Sequence, residues 1–199
     1  MKSSRNFFLL TLLVLVCGLS ASAQTPAGDA KEFSKDGLSF NYPAGWSFND
    51  TSNADAQQMT FGRADSEAQI TVFVFRTPVT TPEKIAEAKK VLVDKYIAAT
   101  TKSFEQDNGH PQSSPVTTEI GGVTSEGVKI RASLGGVPGV AEIHSAVVGQ
   151  RLVVLTFLSS DSAVKKATPT WDTIRTTIKI AEPQPQIKPQ PKASPAAKP

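Results

Sequence analysis

Cysteine is nearly absent from this sequence. The 199 residues include one cysteine, Cys17, and it lies in an N-terminal apolar segment that we expect to be removed. The mature chain would then have no disulfide, and its stability must come from an apolar core. The two histidines, His110 and His144, do not stand in a metal-binding spacing. The sequence thus predicts no metal site and no cofactor.

Charge of one sign is not concentrated in the central part of the sequence. The formal net charge of the whole chain is +3. However, Lys2 and Arg5 belong to the N-terminal segment, and Lys188, Lys192 and Lys198 belong to the C-terminal one. The region between them is therefore close to neutral. Nucleic-acid-binding surfaces are usually basic, so we predict no nucleic-acid partner.

The short motifs of common enzymes are also missing. The sequence contains no G-x-S-x-G pentapeptide of α/β-hydrolases and no phosphate-binding G-x-x-x-x-G-K-[ST] loop. The glycine-rich run 135–139 is not flanked by a βαβ pattern, so it indicates a turn rather than a dinucleotide loop. These absences favour a protein that is not an enzyme.

The first 23 residues are typical of a cleavable signal peptide. A positively charged start is followed by an apolar run at 7–16 and by small residues at 21–23. The apolar run is about half the roughly 20 residues that a membrane-spanning helix needs. A valine precedes Cys17, where a bacterial lipobox has a small residue. We therefore predict cleavage after Ala23, export to the periplasm or the extracellular space, and no stable membrane span in the mature chain.

Composition divides the rest of the chain into three parts. Residues 24–30 form a short flexible lead, residues 31–181 carry the regular apolar patterns of one domain, and residues 182–199 are rich in proline and lysine. About 150 residues suffice for a single domain with a buried core. The last segment has almost no apolar side chains to bury, so we predict a disordered tail. Such a tail is a spacer, a tether or a docking peptide, or it has no specific partner.

Two apolar stretches, 70–75 and 152–158, are predicted to be the central strands of a β-sheet. Nearly every position in them is apolar, as in strands that are covered on both faces. The other predicted strands alternate apolar and polar residues, as strands with one buried face do. Gly149-Gln150 is a candidate two-residue hairpin turn. The alternating strands are centred on Leu38–Tyr42, Trp46–Phe48, Met59–Phe61, Val116–Ile120, Val128–Leu134 and Val140–Val148.

Two helices are predicted around these strands. The first begins at 81–83, where threonine is a preferred N-cap and proline suits the first turn, and it ends near Phe104. The second follows the last strand, and we expect Pro169 to divide it. Its residues Trp171 and Ile174 should face the core. The predicted inward face of the first helix consists of Ile85, Ala88, Leu92, Tyr96 and Ala99.

The PsbP-like superfamily is the group that this pattern resembles. The likeness is carried by the order of the elements over residues 31–181 and by the stretch 37–46, which is GLSFNYPAGW. The group includes the extrinsic photosystem II protein, DcrB-like periplasmic proteins and a Ran-binding nuclear import factor. The resemblance implies an α+β fold, in which a largely antiparallel β-sheet has helices on both faces as an α/β/α sandwich. It implies no reaction, because the group consists largely of binding, assembly and uncharacterised proteins.

Glu142 and His144 are the candidate ligand-binding residues. They are two positions apart on a predicted strand, so both side chains point to the same face. If Gly149-Gln150 is the hairpin turn, they lie opposite Phe157 and Leu155 on an otherwise apolar face. A carboxylate beside an imidazole can orient a general base or contact a ligand. The alternative is an exposed or edge segment in which both side chains meet water.

We expect a non-enzymatic binding or assembly module whose partner is an envelope protein or a small apolar ligand. Two alternatives stay open. The first is an enzyme, a hydrolase or a metal-assisted catalyst, built around Glu142 and His144. The second is a structural envelope protein that uses its tail as a tether. A concave apolar pocket lined by Glu142 and His144 would favour a ligand or catalysis, whereas a closed surface would favour protein contacts.

Overall fold

Residues 30–181 are described by a computed structural model, in which they form ten strands and three α-helices. The predicted signal peptide (1–23), the tail (182–199) and residues 24–29 of the lead lie outside the described residues. The strands are β1 (Ala30–Lys35), β2 (Leu38–Pro43), β3 (Ser47–Asp50), β4 (Ala56–Arg63), β5 (Ser66–Pro78), β6 (Gln112–Ile120), β7 (Val123–Leu134), β8 (Val137–Val148), β9 (Arg151–Ser160) and β10 (Lys179–Ile180). The helices are α1 (Pro82–Ala88), a π-helical segment (Lys89–Asp94), α2 (Lys95–Gln106) and α3 (Asp161–Thr177).

Seven of the strands form one antiparallel sheet, in the order β3-β4-β5-β9-β8-β7-β6. The two predicted central strands, β5 and β9, lie third and fourth in this order, which confirms the prediction. Val72 and Leu155 pair across them and face one core, whereas Phe73 and Val154 pair and face the other. Because both faces are covered, these strands need apolar residues at nearly every position.

One face of the sheet is covered by α3 and by a small second sheet, β1-β2-β10. Trp171 and Ile174 of α3 are buried against the sheet, as predicted. Phe40 and Tyr42 of β2 pack their rings against Phe61 of β4, with ring centroids 5.6 and 5.2 Å apart. The sequence predicted one sheet, and the small second sheet is a difference from that prediction. Its outer strand β1 buries a single side chain, so no alternating pattern indicated it.

The other face is covered by one long helix, residues 82–106, which consists of α1, the π-helical segment and α2. Its first turn is capped as predicted, because Thr81 Oγ1 accepts a hydrogen bond from the Lys84 amide at 3.4 Å. Val93 and Phe104 are the buried side chains of this helix. Helices therefore lie on both faces of the antiparallel sheet, and the predicted α+β fold is confirmed.

Helix α3 is continuous although it contains Pro169, so the predicted division of this helix is wrong. Pro169 is exposed, and water can bind the helix carbonyl that its missing N–H leaves free. Two hydroxyls also bind carbonyls beside the proline. Thr168 donates to the Val164 carbonyl and Thr173 donates to the Pro169 carbonyl, both at 2.8 Å.

A two-residue turn joins β8 to β9, as predicted. Gly149 and Gln150 have positive φ angles of 50° and 66°, as in the type I′ turns that match the twist of hairpin strands. This turn pairs Glu142 with Phe157 and His144 with Leu155. The predicted register of the hairpin is therefore confirmed.

Candidate functional site

Glu142 and His144 lie together on β8, on the face that α3 covers. His144 Nε2 lies 3.4 Å from one oxygen of Glu142, and the other oxygen accepts a hydrogen bond from Lys129 Nζ at 2.8 Å. His144 is 1% exposed, so the interpretation of an exposed or edge segment is wrong for this residue. The structure brings the two candidate residues into contact but encloses the imidazole.

Trp171 and Gly127 enclose the His144 ring. The indole of Trp171 lies above it, with ring centroids 5.8 Å apart, and Phe157 stacks on the same indole at 5.6 Å. Below the ring is Gly127 of β7, where a Cβ atom would lie 2.6 Å from His144 Nδ1. A glycine is therefore needed at this position in the strand. Nδ1 itself has no hydrogen-bond partner among the described residues.

The carboxylate of Glu142 is stabilised by its two neighbours. The hydrogen bond from His144, and then the bond and charge of Lys129, lower the pKa of Glu142 from 4.5 to about 2, although burial acts in the opposite direction. Glu142 is therefore ionised under ordinary conditions and binds both neighbours. A substrate would reach the imidazole only if Trp171 moved, so this cluster is suited to holding β7, β8 and α3 together.

A groove lies on the opposite face of β8, between the long helix and the sheet. Its volume is about 330 Å³. We call it the helix–sheet groove. It is lined by Gln69, Tyr96, Ala99, Thr100, Ser103, Phe104, Ala141, Ile143, Thr156, Phe157 and Leu158.

Small side chains on the long helix keep this groove open. Ala99 and Ser103 are one helical turn apart and lie exposed at the mouth of the groove, where a larger residue would extend over it. Tyr96, one turn earlier, stays 37% exposed and contacts Phe73 with ring centroids 5.8 Å apart. The sequence predicted Tyr96 and Ala99 on the inward face of the helix, and this is wrong for both, because they are exposed at the mouth of the groove. The β8 residues of the groove are Ala141 and Ile143, the neighbours of the candidate pair.

The groove combines an apolar floor with a few polar groups. Ile143 and Leu158 contribute aliphatic surface from the sheet, and both belong to or pack against the second core cluster. Hydroxyls come from Thr100, Ser103 and Thr156. This mixture of an apolar wall and a few hydrogen-bonding groups is typical of small-molecule sites.

A second depression continues the helix–sheet groove toward the edge of the sheet. Its volume is about 520 Å³, and it shares Gln69 and Leu158 with the helix–sheet groove. Its floor is the part of this sheet face that the long helix does not cover. We call this surface the polar floor, and its side chains are those of Ser47, Asn49, Thr60, Glu67 and Gln69, which are exposed or half-buried.

Within residues 30–181, no cluster of three or more His, Asp or Glu side chains has the arrangement of a metal site.

No protein-family model matches the chain, and no curated protein sequence matches it. Solved structures do match in three dimensions. A protein from Bacteroides thetaiotaomicron is 14% identical with a TM-score of 0.52, over 76% of this chain and 48% of that one, so this chain spans about half of that protein. Cyanobacterial PsbP (CyanoP) from Synechocystis is 14% identical with a TM-score of 0.47, over 81% of this chain and 98% of that one. LpqN of Mycobacterium tuberculosis, which is involved in cell envelope biogenesis, is 13% identical with a TM-score of 0.46, over 77% and 92%.

At these identities the likeness is one of fold alone. The α+β fold predicted from the sequence, a largely antiparallel sheet with helices on both faces, is confirmed. The ligand and the partner of this chain must be inferred from its own surface.

Proposed function

We propose that this protein is an exported, non-enzymatic binding module that holds a small, largely apolar ligand in the helix–sheet groove. The observation that carries the proposal is an open space beside the C-terminal half of the long helix, next to the apolar side chains of the second core cluster. A volume of 330 Å³ lies at the lower end of the range of ligand pockets, about 300 to 1,000 Å³.

Burial of the apolar rim would supply the binding free energy. Leu158 and Tyr96 are partly exposed there, whereas Ile143 beneath them is already covered. An apolar ligand that covers this rim removes its surface from water, at about 25 cal/mol per Å². The hydroxyls of Thr100 and Thr156 would orient the ligand.

The proposal favours binding over catalysis because of the position of Glu142 and His144. They lie on the other face of β8, and Trp171 covers the imidazole. A ligand in the helix–sheet groove would therefore contact Ala141 and Ile143 and not the acid–imidazole pair. The pair acts in this proposal as a support of the strand that forms the floor.

The signal-peptide pattern of residues 1–23 supports the proposal that the protein is exported. We propose that the tail from residue 182 onward is a spacer or tether. None of the helices within residues 30–181 is long and apolar enough to cross a membrane. Mass spectrometry of the protein purified from its host would test the export. We expect a mature chain that begins at Gln24, and a chain that retains Met1 or starts elsewhere would contradict it.

Two neighbouring alanines give a matched test of the groove. Ala99 lines it, whereas Ala98 is exposed and does not. The uncharged fluorophore N-phenyl-1-naphthylamine would report binding by its increase in emission. We expect the wild-type protein and Ala98→Trp to bind it alike, and Ala99→Trp to bind at least about tenfold more weakly, because an indole fills the groove.

The folding of both variants would be compared by urea unfolding. Both substitutions are at exposed positions, so the free energy of unfolding should change by less than about 0.5 kcal/mol. If Ala99→Trp and the wild-type protein bound the probe equally well, the ligand would not lie in the helix–sheet groove. No binding by the wild-type protein would overturn the proposed function.

A further inference from the structure

The helix–sheet groove and the polar floor form one continuous surface with two different chemistries. They meet at Gln69 and Leu158, which line both. On one side of this junction, Tyr96, Ala99 and Leu158 give an apolar cleft between the helix and the sheet. On the other side the exposed and half-buried side chains are amides, hydroxyls and one carboxylate, with the ring of Phe48 at the edge. A ligand that follows this surface would need an apolar part and a polar part.

From this arrangement we propose that the ligand is a single-chain amphiphile with an uncharged, hydroxyl-bearing head. The proposal rests on the proposed function and specifies the class of ligand. The chain lies in the helix–sheet groove, and the head lies on the polar floor beyond Gln69. The carboxamide of Gln69 both donates and accepts hydrogen bonds, so it suits a hydroxyl at the junction.

The volume of the helix–sheet groove sets the length of the chain. A water-sized group occupies about 30 Å³, so 330 Å³ holds on the order of eleven such groups. A single acyl chain of about ten to twelve carbons would fill the groove, and two chains would not fit.

The charge of the polar floor sets the chemistry of the head. Among the residues that line the two depressions, Glu67 carries the charge. Within residues 30–181 no Lys or Arg side chain lines them, so a carboxylate or phosphate head would meet Glu67 without a cationic partner from this part of the chain. Ser47, Asn49 and Thr60 instead offer neutral hydrogen-bonding groups on β3 and β4.

Two probes with the same chain test the head group. We would titrate the full chain with 1-monolauroylglycerol and with laurate, below the concentration at which either forms micelles, and measure heats of binding. The proposal expects the glycerol ester to bind at least about tenfold more tightly, since a like charge at the site costs affinity. Equal affinities, or tighter binding of laurate, would overturn it.

Two substitutions locate the head and the junction. Glu67→Gln should raise the affinity for laurate severalfold and so narrow the difference between laurate and the glycerol ester. Gln69→Ala should weaken the glycerol ester about fivefold, the effect of one lost hydrogen bond. If neither substitution changes either affinity, the head does not lie on the polar floor and the inference is wrong.

A series of glycerol esters tests the enclosure of the chain. Affinity should rise about fourfold per methylene and level off near twelve carbons, when the groove is full. A rise that continues to sixteen carbons would contradict an enclosed chain. If the naphthylamine binds and Ala99→Trp blocks it, but no glycerol ester binds, the inference fails while the proposed function stands.

Discussion

Replacing Glu142 with glutamine is expected to flatten the acid side of the stability profile of this protein. In the folded state, His144 and then Lys129 lower the pKa of Glu142 from 4.5 to about 2. A carboxyl whose pKa is lower in the folded state stabilises the fold above its unfolded pKa, and this stabilisation is lost as the pH falls through the folded pKa. The loss should therefore occur between about pH 5 and pH 2.

The size of the effect follows from the same pKa. Since one pKa unit corresponds to about 1.4 kcal/mol, lowering it from 4.5 to about 2 corresponds to about 3 kcal/mol. The side chain of Glu142 is 17% exposed, so solvent screening reduces this value only modestly. We expect the stability difference between the wild-type protein and Glu142→Gln to shrink by about 2 to 3 kcal/mol from pH 5 to pH 2.

Urea unfolding of both proteins across this pH range measures the difference directly. Asp50 beside Lys35 and Asp65 beside Arg63 also have pKa values below the usual range. Both are present in the variant, so their contributions cancel in the comparison. Parallel stability curves for the two proteins would refute the reasoning, because Glu142 would then have the same pKa in the folded and unfolded states.

Three further substitutions test the packing that supports the site. Gly127→Ala should destabilise the fold by about 1 to 3 kcal/mol, because the added Cβ would press on His144. The control Gly62→Ala, at an open strand position, should change stability by less than about 0.5 kcal/mol. Urea unfolding would measure both free energies. Trp171→Ala should cost about 3 to 5 kcal/mol and make the His144 ring accessible, which an imidazole-specific reagent would detect. Thr81→Ala should cost about 0.5 to 2 kcal/mol and speed hydrogen exchange in α1.

The main sheet could be predicted from the sequence because its signals are local. Continuous apolar runs mark β5 and β9, and the Gly149-Gln150 turn fixes how β8 pairs with β9. With the turn known, the partners of Glu142 and His144 followed by counting. The register of the hairpin could not predict that Trp171 covers the His144 ring, because Trp171 lies in α3, outside the hairpin.

The helix–sheet groove was not predicted, because no single residue in it has an unusual chemistry. It exists because Ala99 and Ser103, small residues on one helix, lie above Ile143 and Thr156 from strands about 40 residues or more away. A small residue on a helix beside a sheet indicates either close packing or a gap. The distance between helix and sheet decides between the two, and that distance depends on the whole core.

Chemical-shift mapping of the labelled protein with 1-monolauroylglycerol would test the central claim that the ligand lies between the long helix and the sheet. We expect the amide signals of residues 96–103 and of Thr156 to move on titration, while the indole N–H of Trp171 stays unchanged. Shifts that cluster on α3 and Trp171, with the long helix unaffected, would contradict this account.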